Sequence, residues 1–160
     1  MKKKSIKIAN SKDVRFLFNI YNTRFNEEYS KTKKKIKYTD HKSWFHKELK
    51  SKDSKIYILY YDNNKIGSIR INIFKFNTCL VSIYIKRSKR FKRFGSFYLS
   101  NVLKKIKDKL NINNVYAEVL KKNKTSKHFF TKNKFRLIKY SKKFSSIFNK
   151  NNYIFLKKIK

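Results

Sequence analysis

Cysteine occurs once, glycine twice and proline not at all in these 160 residues, and 9 acidic residues stand against 44 lysines and arginines. The single cysteine, Cys79, excludes an internal disulfide and any cysteine-built zinc site. It lies in the apolar run Cys79-Leu80-Val81, where a buried core thiol is the expectation. No metal site is expected. No stretch approaches the ~20 apolar residues that span a bilayer, so no membrane partner is expected. The first residues, Met1-Lys2-Lys3-Lys4-Ser5-Ile6-Lys7, lack the apolar centre of a signal peptide, and the expected location is the cytoplasm.

What is present describes one folded domain covering residues 1–160. Apolar residues make up 40% and aromatics 17%, too rich for a disordered chain. The length suffices for one hydrophobic core, and no linker, repeat or low-complexity block divides it. A net charge of +35 raises the question of nucleic acid, since a polycation releases counterions from phosphates. The lysines are scattered through every segment, however, and arginine, the better bidentate partner of phosphate and guanine, is scarce. Abundant Lys, Asn, Ile, Phe and Tyr with little Gly and no Pro is the set that A/T-rich codons specify. The charge predicts diffuse polyanion binding at low salt and no specific nucleic-acid partner.

Hydrophobic periodicity gives the elements. Ser5 to Ala9 alternates as a short strand, and Ser11 is the expected N-cap of a helix carrying Val14, Leu17, Phe18 and Tyr21. Lys31 to Lys37 reads as a basic loop. A second helix begins near Thr39-Asp40, with Trp44, Phe45 and Leu49 inward. Strands follow at Lys55 to Tyr61, Lys65 to Phe74 and Thr78 to Ile85, the first two joined by a turn at Asp62-Asn63-Asn64. Gly95 to Leu110 is the clearest helix. Val115 to Val119 is a strand that places Glu118 opposite Val115, Ala117 and Val119. A short helix from Thr125 to Lys132 and strands at Phe135 to Phe144 and Tyr153 to Ile159 end the chain. The order β-α-α-β-β-β-α-β-α-β-β describes an α+β domain.

Arg90-Phe91-Lys92-Arg93-Phe94-Gly95, followed by Ser96, lies between the fourth strand and the third helix. Such a loop can turn backbone N–H groups and a helix N-terminus onto a pyrophosphate; read blandly, it is a basic loop that caps a helix. It resembles the Arg/Gln-x-x-Gly-x-Gly/Ala cofactor loop of the GCN5-related acetyltransferases (GNAT), whose element order is also the one above. The resemblance implies a six- to seven-stranded, mostly antiparallel mixed sheet with about four helices. It also implies acetyl-CoA as co-substrate, with Arg90, Lys92, Arg93, Phe94, Gly95 and Ser96 around its phosphates. Arg93 stands where the family has glycine; should that position need a positive φ, arginine costs ~1–2 kcal/mol there.

A second stretch, Asn123-Lys124-Thr125-Ser126, then Phe129-Phe130 and Asn133-Lys134-Phe135, resembles the family's Asn-x-x-Ser/Ala…Tyr-x-x-x-Gly-Phe ending. It implies that Asn123 and Ser126 lie along the pantetheine arm. Phe130 replaces the family's tyrosine general acid, and Lys134 its glycine. The family's fourth strand is splayed by a bulge whose N–H groups meet the developing oxyanion, which implies that role near Ile83-Tyr84-Ile85.

Asn22-Thr23-Arg24, Tyr29-Ser30, His41-Lys42-Ser43-Trp44-Phe45 and Ile66-Gly67-Ser68-Ile69-Arg70 resemble the branch that acetylates nucleotide-linked deoxyamino sugars, as in pseudaminic-acid synthesis. This implies a small-molecule substrate walled by Arg24, His41, Trp44 and Phe45. Alternatively Trp44 and Phe45 pack the second helix onto the sheet, and His41 has a surface or capping role. Glu118, the only acidic residue within a predicted strand, is the expected general base for the amine, or else a half-buried carboxylate paired with a lysine. An acceptor on a protein N-terminus or ribosomal protein, and a basic nucleic-acid-binding module without catalysis, are the alternatives; a homodimer is compatible with all three.

Overall fold

The computed structural model describes residues 3–25, 35–75, 77–90, 93–142 and 145–159, without the side chains of residues 24 and 25. The elements are β1 (Lys4–Ile8), α1 (Val14–Phe25), α2 (Tyr38–Lys50), β2 (Ser54–Tyr61), β3 (Asn64–Lys75), β4 (Thr78–Ile85), α3 (Phe94–Leu110), β5 (Asn114–Leu120), α4 (Lys124–Lys132), β6 (Arg136–Ile138) and β7 (Asn152–Lys158). They form a seven-stranded sheet in the order β1-β2-β3-β4-β5-β7-β6. Every neighbouring pair is antiparallel except β4 with β5.

Period-two alternation assigns the faces. Ile69, Ile71, Cys79, Val81, Val115, Ala117 and Val119 pack with α3 through Tyr98, Leu99, Val102 and Ile106. Ile56, Ile58 and Tyr84 pack on the other face with Leu17 and Ile20 of α1 and Phe45 of α2. Cys79 is wholly buried, as expected, and burial pushes its thiol up to about 12, which leaves it inert.

Three local readings are corrected. The cap before α1 is Asn10, not Ser11. Its side chain accepts from Lys12 N at 3.0 Å while Asp13 accepts from Asn10 N at 2.8 Å, a capping box that also brings buried Asp13 to 2.7 Å from Lys65 Nζ. The β2–β3 turn has two residues rather than three, because Asp62 and Asn63 both take positive φ (51° and 60°), the geometry a tight hairpin requires. The strand expected over Phe135 to Phe144 shrinks to Arg136–Ile138, the stretch that finds β7 as a partner; residues 143–144 lie outside the described residues. So do residues 31–34 of the expected basic loop.

Neither glycine has a positive φ; both mark close approaches. A Cβ on Gly67 would stand 2.1 Å from Tyr84 O, and one on Gly95 2.8 Å from the Phe129 ring. The left-handed positions are held instead by Asp62, Asn63, Asn77, Asn111, Arg93 and Lys134. Asn and Asp tolerate that region, whereas long side chains pay for it sterically. Arg93 (φ 56°) and Lys134 (φ 63°) are the two positions where the resembled pattern has glycine. Lys134 closes α4 in a Schellman motif: Phe135 N donates to Phe130 O at 3.0 Å, Lys134 N to Thr131 O at 2.9 Å, and the Phe130 and Phe135 rings meet at 5.1 Å. Lys134→Gly is expected to raise stability by up to ~1 kcal/mol, the relief of strain exceeding glycine's extra freedom in the unfolded chain. A denaturation midpoint that does not rise, at unchanged slope, would contradict this.

Candidate active site

The parallel pairing of β4 with β5 lasts for three residue pairs, Thr78 with Asn114, Cys79 with Val115 and Leu80 with Tyr116. Beyond them the two strands continue without partnering each other, and the sheet opens. The opening follows from this loss of pairing rather than from a bulge in β4; the register shifts on either side of β3 fall between Leu59 and Tyr60 and between Ile73 and Lys75.

A cavity of about 550 Å³ occupies the gap. One wall is Leu80 to Ile83 of β4, Glu118 to Leu120 of β5, and Asn123, Ser126 and Phe130 at α4. Asn123 caps α4, its side chain accepting from Ser126 N at 2.9 Å, so the two expected cofactor residues are locked together at the rim. The rest of the lining comes from Tyr21 of α1, Asp40, His41 and Trp44 of α2, and Arg70 of β3 beside Ser82.

Glu118 enters from β5, on the face away from the Val115, Ala117 and Val119 core. Its Oε1 accepts from Asn149 N at 2.9 Å and from Asn152 Nδ2 at 2.7 Å, which fixes the carboxylate in the cavity wall. His41 is 2% exposed, not a surface residue, and sits among the rings of Phe18, Tyr21, Trp44 and Phe45. Its Nε2 has no hydrogen-bond partner among the described residues, and burial lowers its pKa from 6.5. The imidazole is therefore neutral near pH 7. Because the unfolded chain binds this proton first, His41 favours the folded state above pH 6.5 and that contribution is lost as pH falls toward the lower folded value. Stability is expected to decline below pH 6.5 with a slope of up to ~1.4 kcal/mol per pH unit from this group. His41→Asn should flatten that part of the profile; an unchanged slope would show that other groups cause it.

The helix α3 begins against α4, where Gly95 lies by the ring of Phe129, next in sequence to the cavity residue Phe130. Its N-cap, Arg93, is left-handed and supplies no side-chain cap, and no acidic residue occupies the first turn. Among the described residues no side chain caps the first backbone N–H groups of α3, the arrangement that suits an anion. Arg90 donates from Nε to Ile85 O at 2.9 Å, and its guanidinium lies over Tyr84.

The sequence-derived residues fall into three groups. Ile83, Glu118, Asn123, Ser126, His41 and Trp44 line the cavity, whereas Arg93, Phe94, Gly95 and Ser96 form the start of α3. Tyr84 and Ile85 lie outside the cavity wall, and Phe45 is fully buried in the α1–α2 core, where it packs the helix rather than walling the acceptor. Lys92 and the side chain of Arg24 lie outside the described residues. Residues not anticipated are Tyr21, Asp40, Arg70 and Ser82. The available signal for Arg70 is a cation inside the apolar run Ile69-Arg70-Ile71.

The family model described as "Acetyltransferase (GNAT) family" matches residues 14–135. The chain belongs to the GNAT acetyltransferase family. It is an N-acetyltransferase that uses acetyl-CoA. No curated protein sequence matches it. Solved structures similar to this acetyltransferase include an N-acetyltransferase from Staphylococcus aureus Mu50, with TM-score 0.79 and 19% identity over 99% of each chain. The N-acetyltransferase PseH of Campylobacter jejuni superposes with TM-score 0.70 at 18% identity, covering 98% of this chain and 99% of its own. The PaiA N-acetyltransferase of Thermoplasma acidophilum, solved in complex with coenzyme A, gives 0.75 at 18% over the same shares. At these identities the likeness establishes the fold. Among the described residues no helix is long and apolar enough to cross a membrane.

Proposed function

We propose that this acetyltransferase transfers the acetyl group to the amine of a nucleotide-linked deoxyamino sugar. The observation that carries this reading is the α2 side of the cavity, where Trp44, with the Arg70 guanidinium over its ring, lines the space together with His41 and Asp40. An aromatic plane with polar edges suits a sugar or base ring. The sequence resemblance to the amino-sugar branch and the likeness to PseH support it.

In this reading the pantetheine arm passes between β4 and β5 beside Asn123 and Ser126, and the diphosphate rests on the open N–H groups of α3. The amine nitrogen attacks the thioester carbonyl carbon, a C–N bond forms, and the C–S bond breaks to release coenzyme A as thiolate. Glu118 takes the proton that the amine loses, directly or through water. Phe130, packed against Phe135 and Phe155, cannot protonate the leaving sulfur. A thiol with pKa around 8.5 leaves as thiolate without that help.

A panel of acceptors assayed for coenzyme A release tests the assignment, with UDP-linked 4-amino sugars set beside N-terminal peptides and spermidine. Saturable turnover of the sugars is expected. Turnover of peptides with none of any sugar would move the acceptor to a protein N-terminus and leave the family assignment untouched. Trp44→Ala should raise KM for the sugar at least about tenfold with little change for acetyl-CoA, given that a buried aromatic contact is worth ~1.5–3 kcal/mol.

A further inference from the structure

On the sheet face that carries α1 and α2, Arg70 of β3 pairs in register with Ser82 of β4, and both line the cavity. Across the opening on the same face stands Glu118 of β5. Leu80 pairs with Tyr116, so two residues further along each strand Ser82 and Glu118 face each other over the gap. The row Arg70, Ser82, Glu118 thus spans one paired strand spacing plus the opened gap, more than the ~10 Å of two paired spacings, with a cation at one end and a carboxylate at the other.

Arg70 is half-buried, and the nitrogen it does bury lacks an acceptor. Its Nε is buried without a hydrogen-bond acceptor among the described residues, and no carboxylate there lies within ion-pairing distance. Its guanidinium lies by the Trp44 ring, 5.4 Å from Cζ to the centroid. A guanidinium stays protonated and offers only donors, so burial cannot be relieved by loss of the proton. An unmet charged donor in a ligand-sized cavity is a vacancy for an acceptor atom bearing negative charge.

We propose that Arg70 binds an anionic group of the acceptor, a phosphate in the nucleotide-linked reading on which this inference builds, and so sets the acceptor with its amine toward Glu118. The polarity fits an amine and an anion at opposite ends of one molecule. Trp44 lies beside the guanidinium, and both residues line the cavity. Of the other lining residues on this side, His41 is neutral when buried and Asp40 brings a second carboxylate.

Titration calorimetry on the full chain saturated with coenzyme A, at salt sufficient to screen its diffuse positive charge, provides the test. Saturation occupies the α3 phosphate site, leaving the acceptor end for the probes, UDP and inorganic pyrophosphate. Both are expected to bind, Arg70→Gln to weaken each at least tenfold, and Arg70→Lys to recover only part of the loss. Affinity for coenzyme A should stay within a few-fold in both variants, which shows that the fold survives. Pyrophosphate binding that depends on Arg70 without UDP binding would keep this inference and sink the nucleotide reading. UDP binding unaltered by Arg70→Gln would do the reverse. Binding of neither probe, or loss of coenzyme A affinity alongside that of the probes, overturns the assignment of Arg70.

Discussion

Glu118→Gln is expected to lower turnover by ~10²–10⁴-fold while changing acetyl-CoA affinity by no more than a few-fold. The structure makes this substitution informative, because the carboxylate also has a structural task. Its Oε1 accepts from Asn149 N and Asn152 Nδ2, tying β5 to the turn before β7. The amide oxygen of glutamine can accept the same two hydrogen bonds, so the turn is retained and the ability to take a proton at neutral pH is lost. Glu118→Ala would remove both functions at once and confound them. Single-turnover rates with acetyl-CoA affinity measured in parallel separate the outcomes. Turnover within a few-fold of the parent would mean that Glu118 only anchors the turn and that water or another group takes the amine proton.

The second large effect is expected at the start of α3. Introducing a negative charge there should weaken acetyl-CoA binding by ~10²-fold, since a phosphate would meet a carboxylate where it otherwise meets helix N–H groups. Gly95→Glu is the obvious variant, but its Cβ would lie 2.8 Å from the Phe129 ring, so α3 and α4 would have to separate and lost binding could reflect lost packing. Ser96→Glu avoids that confusion. Ser96 is the third residue of the helix, where an acidic side chain favours the helix dipole, so the variant should fold with unchanged or slightly higher stability. Calorimetry would then read the phosphate site alone. Full acetyl-CoA affinity in a stably folded Ser96→Glu protein would remove the α3 N-terminus from the cofactor site.

The two lost glycines show how composition and fold interact in this chain. At Arg93 and Lys134 the backbone keeps a left-handed conformation although the residue there is a long cation. The Schellman hydrogen bonds at the end of α4 and the Phe130–Phe135 contact over-determine that conformation, so one unfavourable φ is tolerated. The glycines that remain are at points where a Cβ would strike a backbone oxygen or a packed ring. Local strain of ~1–2 kcal/mol is survivable, whereas steric overlap at 2.1 Å, as at Gly67, is not.

Element order and faces were legible in the residues alone. Period-two alternation in Lys65 to Phe74 and Val115 to Val119, and 3.6-residue spacing in α3, depend only on which side chains avoid water. The same patterns put Glu118 on the face opposite the α3 core, and the family resemblance singled out Asn123 and Ser126. Tertiary structure decided what those residues meet. That β4 and β5 part after three residue pairs is a matter of strand pairing over more than thirty residues of intervening chain, which no local pattern records. Burial of His41, the core role of Phe45 and the turning of Arg90 onto Ile85 likewise depend on neighbours distant in sequence. Arg70 shows the division most clearly. The chain supplies a cation within an apolar strand, but only register across the open sheet sets it opposite Glu118, because the charge of a side chain is local and the partner it lacks is not.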